Sequence, residues 1–341
     1  MTPDQWTYAR AGVNIDGKSQ AIESLVNQLK YRRKGKVKMI DLKGQFTGLI
    51  DFGDHTLTLC TDGVGTKLLI AKEMDKWDTV GIDCVAMNVN DTICVGAEPV
   101  AFVDYIAIPE PDEKLTEQIG VGLERGAELS DMDIVGGEIA VLPELMKEID
   151  LSGSCLGMVK KESIVDGSKV SPGDVVVGLA SSGIHSNGLT LARKILAANC
   201  VSYSRDFEGL EQCIGMELLT PTEIYVKRIL DVLRKVRVRG MVDITGGGLR
   251  NFLRLKKGVA VVIDDPISPQ SIFQVLQELG GVSDQEMYQT FNMGMGFALI
   301  CHPDDGEKTV NALGEGAKIV GHVEAGDGVS LPNLNLNYTK Y

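Results

Sequence analysis

The sequence predicts an α/β (α+β) fold built from two domains, and three observations support this. The 341 residues are 44% apolar and 24% charged, as in globular proteins. Apolar residues recur with the spacing of strands and helices in alternation along the chain. A Pro-Gly turn at 172–173 separates two such series. We therefore expect an N-terminal domain at 1–170 and a C-terminal α/β domain at 171–341, which fits roughly 100–200 residues per domain.

The first half begins with a predicted helix whose apolar face carries Ile22, Leu25, Val26 and Leu29. A basic run at 30–38 follows, and either a solvated helix end or a phosphate-facing patch explains it. The remaining predicted elements of this half are a strand at 56–60, buried strands at 100–108 and 150–159, and helices at 83–95 and 115–129.

The second half repeats the alternation. A new strand is predicted directly after the Pro-Gly turn, at 175–179. The other predicted elements are strands at 259–263, 297–301 and 319–323, and helices at 188–198, 222–235, 270–279 and 307–313.

Charge and cysteine content restrict the function. Lys and Arg number 34 and Asp and Glu 47, so the formal net charge is −13 and we expect no nucleic-acid partner. A small polyphosphate remains compatible, because a divalent metal bridges carboxylates to phosphate oxygens. Seven scattered cysteines without a CxxC pair predict a reducing, cytoplasmic setting. Without an apolar run near ~18 residues or a signal-peptide pattern, we expect no membrane partner.

A turn between a strand and a helix is the first candidate site. It contains Asp62, Gly63, Gly65, Thr66 and Lys67. The glycines let the backbone approach a ligand, Asp62 offers a hard oxygen and Lys67 a positive charge, which together suit Mg²⁺-bound phosphates. The spacing matches neither a Walker loop nor a dinucleotide fingerprint. A tight turn capped by Asp62 is the structural alternative.

Two further acidic elements are candidates for the same site. Asn90 and Asp91 lie in an otherwise apolar predicted helix, where polar side chains are costly to bury without a partner. Asp91 is therefore predicted to ligate a metal rather than to be a surface charge. Gly137 and Glu138 stand at a predicted strand end and add one carboxylate.

A loop between a strand and a helix contains Ser182, Gly183, His185, Ser186 and Asn187. Small hydroxyls and free N–H groups at a helix N-terminus form an anion site. His185 is placed to donate to a phosphorylated group or to exchange a proton with it. A histidine that satisfies only local backbone groups is the alternative.

A second glycine cradle follows Asp243. Gly246, Gly247 and Gly248 precede a predicted helix, so they resemble a phosphate-binding turn, with a flexible turn as the alternative. Asn292, just before a predicted strand, is a candidate hydrogen-bonding group for substrate.

Together these elements resemble the phosphoribosylformylglycinamidine cyclo-ligase family, the aminoimidazole ribonucleotide synthetases. The resemblance runs from residue 8 to about residue 323. The wider ATP-binding superfamily shares elements like 62–67 and 90–91. More specific to this enzyme family are the sequences at 11–13, 182–188, 245–248 and 290–294.

The resemblance implies an ATP-dependent ring closure in purine biosynthesis, with ATP and Mg²⁺ as cofactors. Formylglycinamidine ribonucleotide is phosphorylated on its formamide oxygen, and the amidine nitrogen then displaces phosphate to give aminoimidazole ribonucleotide. The resemblance also implies a homodimer, in which the first domain contributes strands to a barrel-like interface. The active site is expected in a cleft between domains.

The resemblance also assigns roles to the candidate residues. Asp62 and Asp91, joined by Glu138, are expected to hold Mg²⁺, Lys67 to meet a phosphate, and His185 to act as proton donor or electrostatic stabiliser. The glycine loops at 183–188 and 246–248 are expected to hold the ribose phosphate or the nucleotide. The segment 43–48 is predicted to be a mobile loop that closes over ATP through Gly44 and Gly48.

Two positions depart from the pattern of many family members. Ile139 follows Gly-Gly-Glu where those members carry threonine, so a hydroxyl is missing. Asp243 stands where many carry histidine, and we expect it to add a carboxylate near the metal. The alternatives are a related enzyme, namely thiamine-monophosphate kinase, selenophosphate synthetase or a hydrogenase-maturation protein, or a non-catalytic nucleotide-binding relative.

Overall fold

A computed structural model describes residues 5–13, 15–41 and 44–340, with only the backbone at 15, 16 and 19. It shows a two-domain α/β chain with two mixed sheets. Lys43, part of the predicted mobile loop, lies outside the described residues. The helices are, in chain order, α1 Ile15–Val26, α2 Lys67–Met74, α3 Val80–Ile93, α4 Glu113–Ser130, α5 Leu189–Ala198, α6 Ile214–Leu219, α7 Val226–Leu233, α8 Ser271–Gly280, α9 Asp284–Thr290 and α10 Pro303–Leu313.

The first sheet has the strand order β1-β2-β3-β6-β4-β5. Its strands are β1 Lys38–Ile40, β2 Gly48–Phe52, β3 His55–Gly63, β4 Glu98–Ile108, β5 Asp133–Val141 and β6 Asp150–Lys160. Neighbours pair antiparallel except β4 and β5, which are parallel. Because α4 connects β4 to β5, this pair is a βαβ unit.

The second sheet has the strand order β13-β12-β9-β11-β7-β10-β8. Its strands are β7 Val175–Ala180, β8 Val238–Asp243, β9 Val259–Ile263, β10 Met295–Cys301, β11 Ala317–Ala325, β12 Gly328–Leu331 and β13 Leu336–Tyr338. Every residue of β10 is buried, as expected for a strand covered on both faces.

Helix α3 is almost entirely buried because it packs on the first sheet and also against α4 and α7. Glycines allow its close approach to α4. A Cβ atom at Gly81 would collide with the α4 backbone at Leu123, and one at Gly122 would collide with the backbone at Asp78 and Gly81. This contact fixes α3, which carries several of the candidate site residues.

The opposite face of the first sheet is apolar and exposed. Strand alternation places Leu59, Val103, Tyr105 and Met158 on this outer face, each 39–51% exposed. The strand predicted at 100–108 is therefore buried on one face only. An apolar sheet face of this kind is typical of an interaction surface.

Several sequence predictions need correction. The helix predicted from residue 222 begins only at Val226, because the preceding segment is bonded to α3. Gly48 begins β2 instead of lying in a loop, and Gly137 lies inside β5 rather than at a strand end. The described strands form no closed barrel, because β1 and β5 remain separate edges of the first sheet. None of the described helices has both the length and the apolarity needed to span a membrane.

Candidate active site

Three aspartates from distant parts of the chain interact between the two sheets. Asp62 is near the end of β3, Asp91 is in the last turn of α3, and Asp243 ends β8. Burial, followed by the charge of Asp243, raises the pKa of Asp91 well above its ordinary value. Burial and the charge of Asp62 raise the pKa of Asp243 to about 8. The structure therefore brings Asp62, Asp91 and Asp243 into one electrostatic cluster, named here the acidic cluster.

Two cations face this cluster. Arg254 lowers the pKa of all three aspartates, and Lys18 of α1 lowers that of Asp62. The pKa of Asp62 is nevertheless raised, because burial outweighs these charges and the hydrogen bond that its Oδ1 accepts from Gly63 N–H at 2.8 Å. Arg254 and Lys18 therefore neutralise only part of the negative charge of the acidic cluster.

The donor set of the acidic cluster fits a hard divalent cation. Carboxylate oxygens are the ligands that Mg²⁺ prefers, and a cation would favour their ionised forms. Among the described residues, no three His, Cys, Asp or Glu side chains are grouped closely enough to hold an ion by themselves. Mg²⁺ is commonly held by one or two carboxylates together with substrate phosphates, so the fit is to a metal–phosphate complex.

Glu138 does not face the acidic cluster. Strand register aligns Asp62, Gly153, Asp104 and Gly137 across the first sheet, and directly paired residues share a face. Glu138 is the next residue along β5, so its side chain points to the outer face. At about 4.8 Å per strand, three strand spacings, or about 14 Å, also separate it from β3. Within one chain, Glu138 therefore does not join Asp62 and Asp91 around a metal.

Gly137 has a steric role on the inner face. A Cβ atom there would collide with the carboxylate of Asp104. Asp104 is half-buried on the same face as Asp62, and burial raises its pKa. Asp104 is thus a fourth carboxylate on the inner face of the first sheet, and the sequence analysis did not identify it.

Lys67 is bound inside the protein instead of facing a phosphate. Its Nζ donates to Asp83 Oδ1 at 2.9 Å and to the carbonyl of Thr220 at 2.7 Å, and both ion-pair side chains are fully buried. Burial lowers the pKa of Lys67, although Asp83 opposes the shift. Asp83 Oδ1 also accepts from the N–H and hydroxyl of Thr222. Lys67 and Asp83 therefore hold the segment 220–225.

Asn90 holds the same segment. Its Nδ2 donates to the carbonyl of Glu223 at 2.8 Å, and its Oδ1 accepts from the N–H of Tyr225 at 3.1 Å. These two bonds satisfy the amide group of Asn90, which is buried on α3. Asn90 is thus a structural neighbour of the acidic cluster, while Asp91 is part of it.

Segment 220–225 in turn supports the predicted substrate loop, residues 182–188. Ser182 Oγ donates to the carbonyl of Pro221 at 2.6 Å, and the hydroxyls of Ser186 and Thr222 are 3.2 Å apart. Together with the bonds of Lys67, these contacts form a chain of polar groups from the first domain to the second.

His185 is buried in this loop with φ at +61°. Its Nε2 accepts the N–H of Ser182 at 3.2 Å and faces the N–H of Glu223 at 3.5 Å. Burial, and then the charge of Lys67, lower the pKa of His185 to about 3. The imidazole is therefore neutral at neutral pH, which argues against a role as a cationic stabiliser.

The remaining substrate candidates lie around the same loop. Asn292 donates to the carbonyl of Gly183 at 2.9 Å, and its Oδ1 accepts from Ser181 Oγ and Gly294 N–H. A Cβ atom at Gly246 would press on Asn187 Oδ1, so the glycine cradle meets the substrate loop there. The next two glycines are buried: Gly247, and Gly248 with φ at +52° against the carbonyl of Tyr288.

The turn after β3 contacts the second domain. Gly65 is exposed with φ at +69°, a conformation that favours glycine. The hydroxyl of Thr66 lies 2.9 Å from that of Thr190 in α5. The turn that contains Gly63, Gly65 and Thr66 therefore connects Asp62 of the acidic cluster to α5, the helix that follows the substrate loop.

The segment from Gly44 to Gly48 is packed in this structure. Gln45 donates to the carbonyl of Asp166 at 3.1 Å, and the guanidinium of Arg254 lies 4.4 Å from the ring centre of Phe46. A Cβ atom at Gly44 would press on the carbonyl of Arg254. Arg254 thus joins this segment to the acidic cluster.

Both halves of the chain match models of one protein family. AIR synthase related protein, N-terminal domain, matches residues 44–159, and AIR synthase related protein, C-terminal domain, matches residues 171–332. The phosphoribosylformylglycinamidine cyclo-ligase of Methanosarcina barkeri is 51% identical over 324 residues, which are 95% of this chain and 96% of that protein. The same enzyme of Methanococcoides burtonii is 50% identical, with the same coverage.

This chain belongs to the phosphoribosylformylglycinamidine cyclo-ligase family. Among solved structures, the thiamine monophosphate kinase of Aquifex aeolicus has a TM-score of 0.62 at 18% identity, covering 94% of this chain and 97% of that one. That likeness shows a shared fold alone.

In this cyclo-ligase family member, sequence reasoning missed several residues around the site. Asp83 was within reach of the argument used for Asp91, since it too is an acid in an apolar helix. No local sequence pattern identified Arg254 or Lys18, because the aspartates with which they interact are distant in the sequence. A groove of about 1020 Å³ opens at the other end of β8 from Asp243, lined in part by Lys169, Arg237 and Arg239, and it is separate from the acidic cluster.

Proposed function

We propose that this chain converts formylglycinamidine ribonucleotide and ATP to aminoimidazole ribonucleotide, ADP and phosphate. The observation that carries the proposal is the placement of the acidic cluster beside two glycine-rich loops, in a chain half identical to phosphoribosylformylglycinamidine cyclo-ligases over nearly its whole length. Carboxylates suit a metal-bound polyphosphate, and the loops suit the phosphate of the second substrate.

The reaction has two steps. The formamide oxygen takes the γ-phosphoryl group of ATP, and ADP leaves. The amidine nitrogen then attacks the formyl carbon, the carbon–oxygen bond breaks and phosphate departs, while nitrogen loses a proton as the ring closes. Phosphorylation is needed because an amide oxygen is a poor leaving group. Such transfers depend on positioning and charge neutralisation more than on covalent help from the protein.

Asp62, Asp91 and Asp243 would hold Mg²⁺ in this scheme. The ion, when bound, supplies positive charge to the triphosphate. Arg254 and Lys18 take the role of nearby cations that the sequence assigned to Lys67, since each interacts with the acidic cluster. Lys67 becomes a positioning residue that holds segment 220–225 through Asp83.

His185 would act as a neutral group beside the substrate. Because its Nε2 accepts backbone N–H groups, its Nδ1 carries the proton and is the atom able to donate a hydrogen bond. Ser182, Ser186, Asn187 and Asn292 shape the loop around it. The cradle of Gly246, Gly247 and Gly248 is proposed to contact the ribose phosphate.

The nucleotide side of the site is proposed to include Gly44, Gly63, Gly65 and Thr66. The 44–48 segment would move over bound ATP by releasing its packing against Arg254. The positions of Asn90 and Gly137 favour supporting roles, because Asn90 is bonded to segment 220–225 and Gly137 makes room for Asp104.

A homodimer is part of the proposal. The apolar outer face of the first sheet would be covered by the same face of a second copy, closing a barrel that one chain leaves open. Glu138, which points to that face, would then lie at the interface. Sedimentation equilibrium of the wild type and of Val103→Asp tests this, with a dimer expected for the wild type and a monomer for the variant; a monomeric wild type contradicts it.

A cytoplasmic location is also proposed. All seven cysteines are free thiols. Such a set is typical of a reducing compartment.

Product analysis tests the proposed function. Purified protein is incubated with ATP and Mg²⁺, alone or with formylglycinamidine ribonucleotide or thiamine monophosphate. We expect ADP, phosphate and aminoimidazole ribonucleotide in equal amounts only with the first substrate, measured by chromatography and mass spectrometry. Phosphorylation of the thiamine ester would instead indicate a kinase, and no ATP turnover with either would indicate a non-catalytic relative.

A further inference from the structure

The substrate loop has two serines that a ligand can reach. Most of the loop is buried, but Ser182 and Ser186 are partly exposed. A hydroxyl group has one hydrogen to donate and two lone pairs that accept hydrogen bonds. What each serine offers to a ligand therefore depends on whether its hydrogen is already used inside the protein.

The hydrogen of Ser182 is used inside the protein. Its Oγ lies 2.6 Å from the carbonyl oxygen of Pro221, in segment 220–225. A carbonyl oxygen accepts hydrogen bonds and cannot donate them, so the serine is the donor in this bond. The lone pairs of Ser182 Oγ remain for a ligand, whereas its hydrogen does not.

The hydrogen of Ser186 is also used, and Thr222 shows why. Asp83 Oδ1 accepts from Lys67 Nζ at 2.9 Å and from the N–H of Thr222 at 2.8 Å. Because these groups donate, Oδ1 carries no proton, and the Thr222 hydroxyl, 2.6 Å away, gives it its one hydrogen. The hydroxyls of Ser186 and Thr222 are 3.2 Å apart. In that bond Thr222 can only accept, so Ser186 is the donor.

We propose that Ser182 and Ser186 recognise hydrogen-bond donors of formylglycinamidine ribonucleotide, its N–H or ribose O–H groups, and not its phosphate. This inference rests on the proposed function, which assigns that substrate to the loop. A phosphate oxygen requires donors, and both hydroxyl hydrogens are committed to segment 220–225. On this assignment the serine hydroxyls do not form the anion site that the sequence predicted, and the phosphate is left to the cradle of Gly246, Gly247 and Gly248.

Thr222 is the positioning residue in this arrangement. It is buried between Asp83 of the first domain and Ser186 of the loop, and its hydroxyl contacts both. Without that hydroxyl, the hydrogen of Ser186 is free to turn toward the ligand, and the lone pairs are no longer held in place. Thr222 therefore affects ligand binding through the direction of the Ser186 hydroxyl.

Calorimetric titration of the full-length protein tests the assignment with two ligands, the ribonucleotide and the nucleoside that lacks its phosphate. Loss of one neutral hydrogen bond typically weakens binding about fivefold. We expect Ser182→Ala and Ser186→Ala each to raise the Kd of both ligands by this same factor. A rise for the ribonucleotide alone would place the phosphate on the serines and overturn the proposal. An unchanged Kd for both ligands would overturn it as well.

Ribose phosphorylated at the same hydroxyl as the substrate separates the two kinds of donor. With equal losses for ribonucleotide and nucleoside, a raised Kd for this sugar phosphate in Ser186→Ala assigns a ribose O–H to that serine. A wild-type Kd for the sugar phosphate assigns an N–H group instead. Either result supports an acceptor role for the hydroxyl.

Thr309→Val is the matched control for Thr222→Val. Thr309 is a buried threonine whose hydroxyl donates to the carbonyl of Asp305 at 2.7 Å. It lies beside Cys301, at the other end of β10 from the loop. Thr222→Val should weaken ribonucleotide binding about fivefold, and Thr222→Ser, which keeps the hydroxyl, should restore it to within about twofold. Thr309→Val should bind as the wild type does. A lower Tm in both valine variants with unchanged Kd values would reduce Thr222 to a structural role.

Measuring binding instead of turnover lets this inference and the proposed function fail separately. A wild-type protein that binds the ribonucleotide without forming aminoimidazole ribonucleotide contradicts the proposed function, while the serine variants still decide the inference. A wild-type protein that does not bind the ribonucleotide overturns both.

Discussion

Two groups of charged side chains, linked by the turn from Asp62 to Lys67, are built on opposite principles in this protein. Lys67 and Asp83 form a closed ion pair, in which each charge has its partner and additional backbone bonds. The acidic cluster gathers three carboxylates whose pKa values are raised, mainly by burial, with repulsion from a neighbouring aspartate adding to the shift at Asp91 and Asp243. Each charge of the ion pair stabilises the other, whereas carboxylates that repel one another destabilise the protein when no cation is bound.

The comparison teaches which charges serve the fold and which serve a ligand. Lys67 is held by Asp83 and by the carbonyl of Thr220, so its charge is not available to bind a substrate phosphate. Carboxylates that repel one another gain from a cation, and such strain is common where function requires it. The sequence motif from Asp62 to Lys67 therefore contributes one residue to each group.

Removing the balanced charge should give the largest effect on stability. Lys67→Met leaves Asp83 buried without its cation, so we expect the free energy of unfolding to fall by about 3–5 kcal/mol. Denaturant unfolding measures this, with Lys72→Met as control. Lys72 is in the same helix, but its pair with Glu148 is exposed, and its loss should cost about 1 kcal/mol or less. Equal losses in the two variants would remove the distinction between the groups.

Neutralising the unbalanced group should affect activity instead. Asp91→Asn removes a proposed metal ligand, and turnover should fall by a factor on the order of 10²–10³, as when one transition-state contact is deleted. The free energy of unfolding should stay level or rise, because like-charge repulsion is relieved. Glu124→Gln, an exposed change on α4, serves as control. An Asp91→Asn protein that is fully active, or that unfolds, contradicts the assignment.

The pH dependence of stability tests whether His185 is neutral in the folded protein. It is neutral when folded, with its pKa near 3, and has its ordinary pKa of about 6.5 when unfolded. The unfolded state therefore takes up a proton as the pH falls below about 6.5, and stability declines. Between pH 7 and pH 5 this amounts to about 2 kcal/mol.

The measurement is urea unfolding of wild type and His185→Gln at both pH values. The wild type should lose about 2 kcal/mol more than the variant on acidification. His55→Gln, a change at the first residue of β3, serves as the control for loss of a histidine elsewhere in the chain. If the free energy of unfolding changed equally with pH in wild type and His185→Gln, the imidazole of His185 would not be held neutral in the folded protein.

The smallest expected effect concerns Asp243. If this carboxylate adds to the metal site, Asp243→Asn should raise the Mg²⁺ concentration for half-maximal turnover by about tenfold, equivalent to about 1.4 kcal/mol. Titration of Mg²⁺ at saturating ATP measures it. An equal Mg²⁺ dependence in wild type and variant counts against a role for Asp243 at the metal.

Much of the fold was predictable because its elements carry local patterns. The strand at Val259–Ile263 and the helices α3, α4 and α5 follow directly from apolar periodicity. β1, β2, β8, β12 and β13 were missed; β1, β12 and β13 have only three or four residues, too few to show a period. The start of α7 was misplaced, because bonds from Asp83 and Asn90 keep the preceding residues out of the helix.

The candidate site was predictable as a list of residues but not as a geometry. Asp62, Asp91 and Asp243 were identified because acids in apolar or glycine-rich surroundings are uncommon without a ligand. Glu138 was grouped with them on spacing alone, and strand register places it on the opposite face. Lys67 looked like a phosphate ligand because its buried partner, Asp83, is on another helix.

By itself, the sequence determined the α/β class, the two series of elements and the family, since these rest on local composition and ordered motifs. The tertiary structure decided which charges neutralise one another and which remain open to a ligand. The physical reason is that electrostatic and hydrogen-bonding energies depend on distance and burial. Residues as far apart in the chain as Tyr8 and Glu286, or Asp62 and Asp243, interact only after folding.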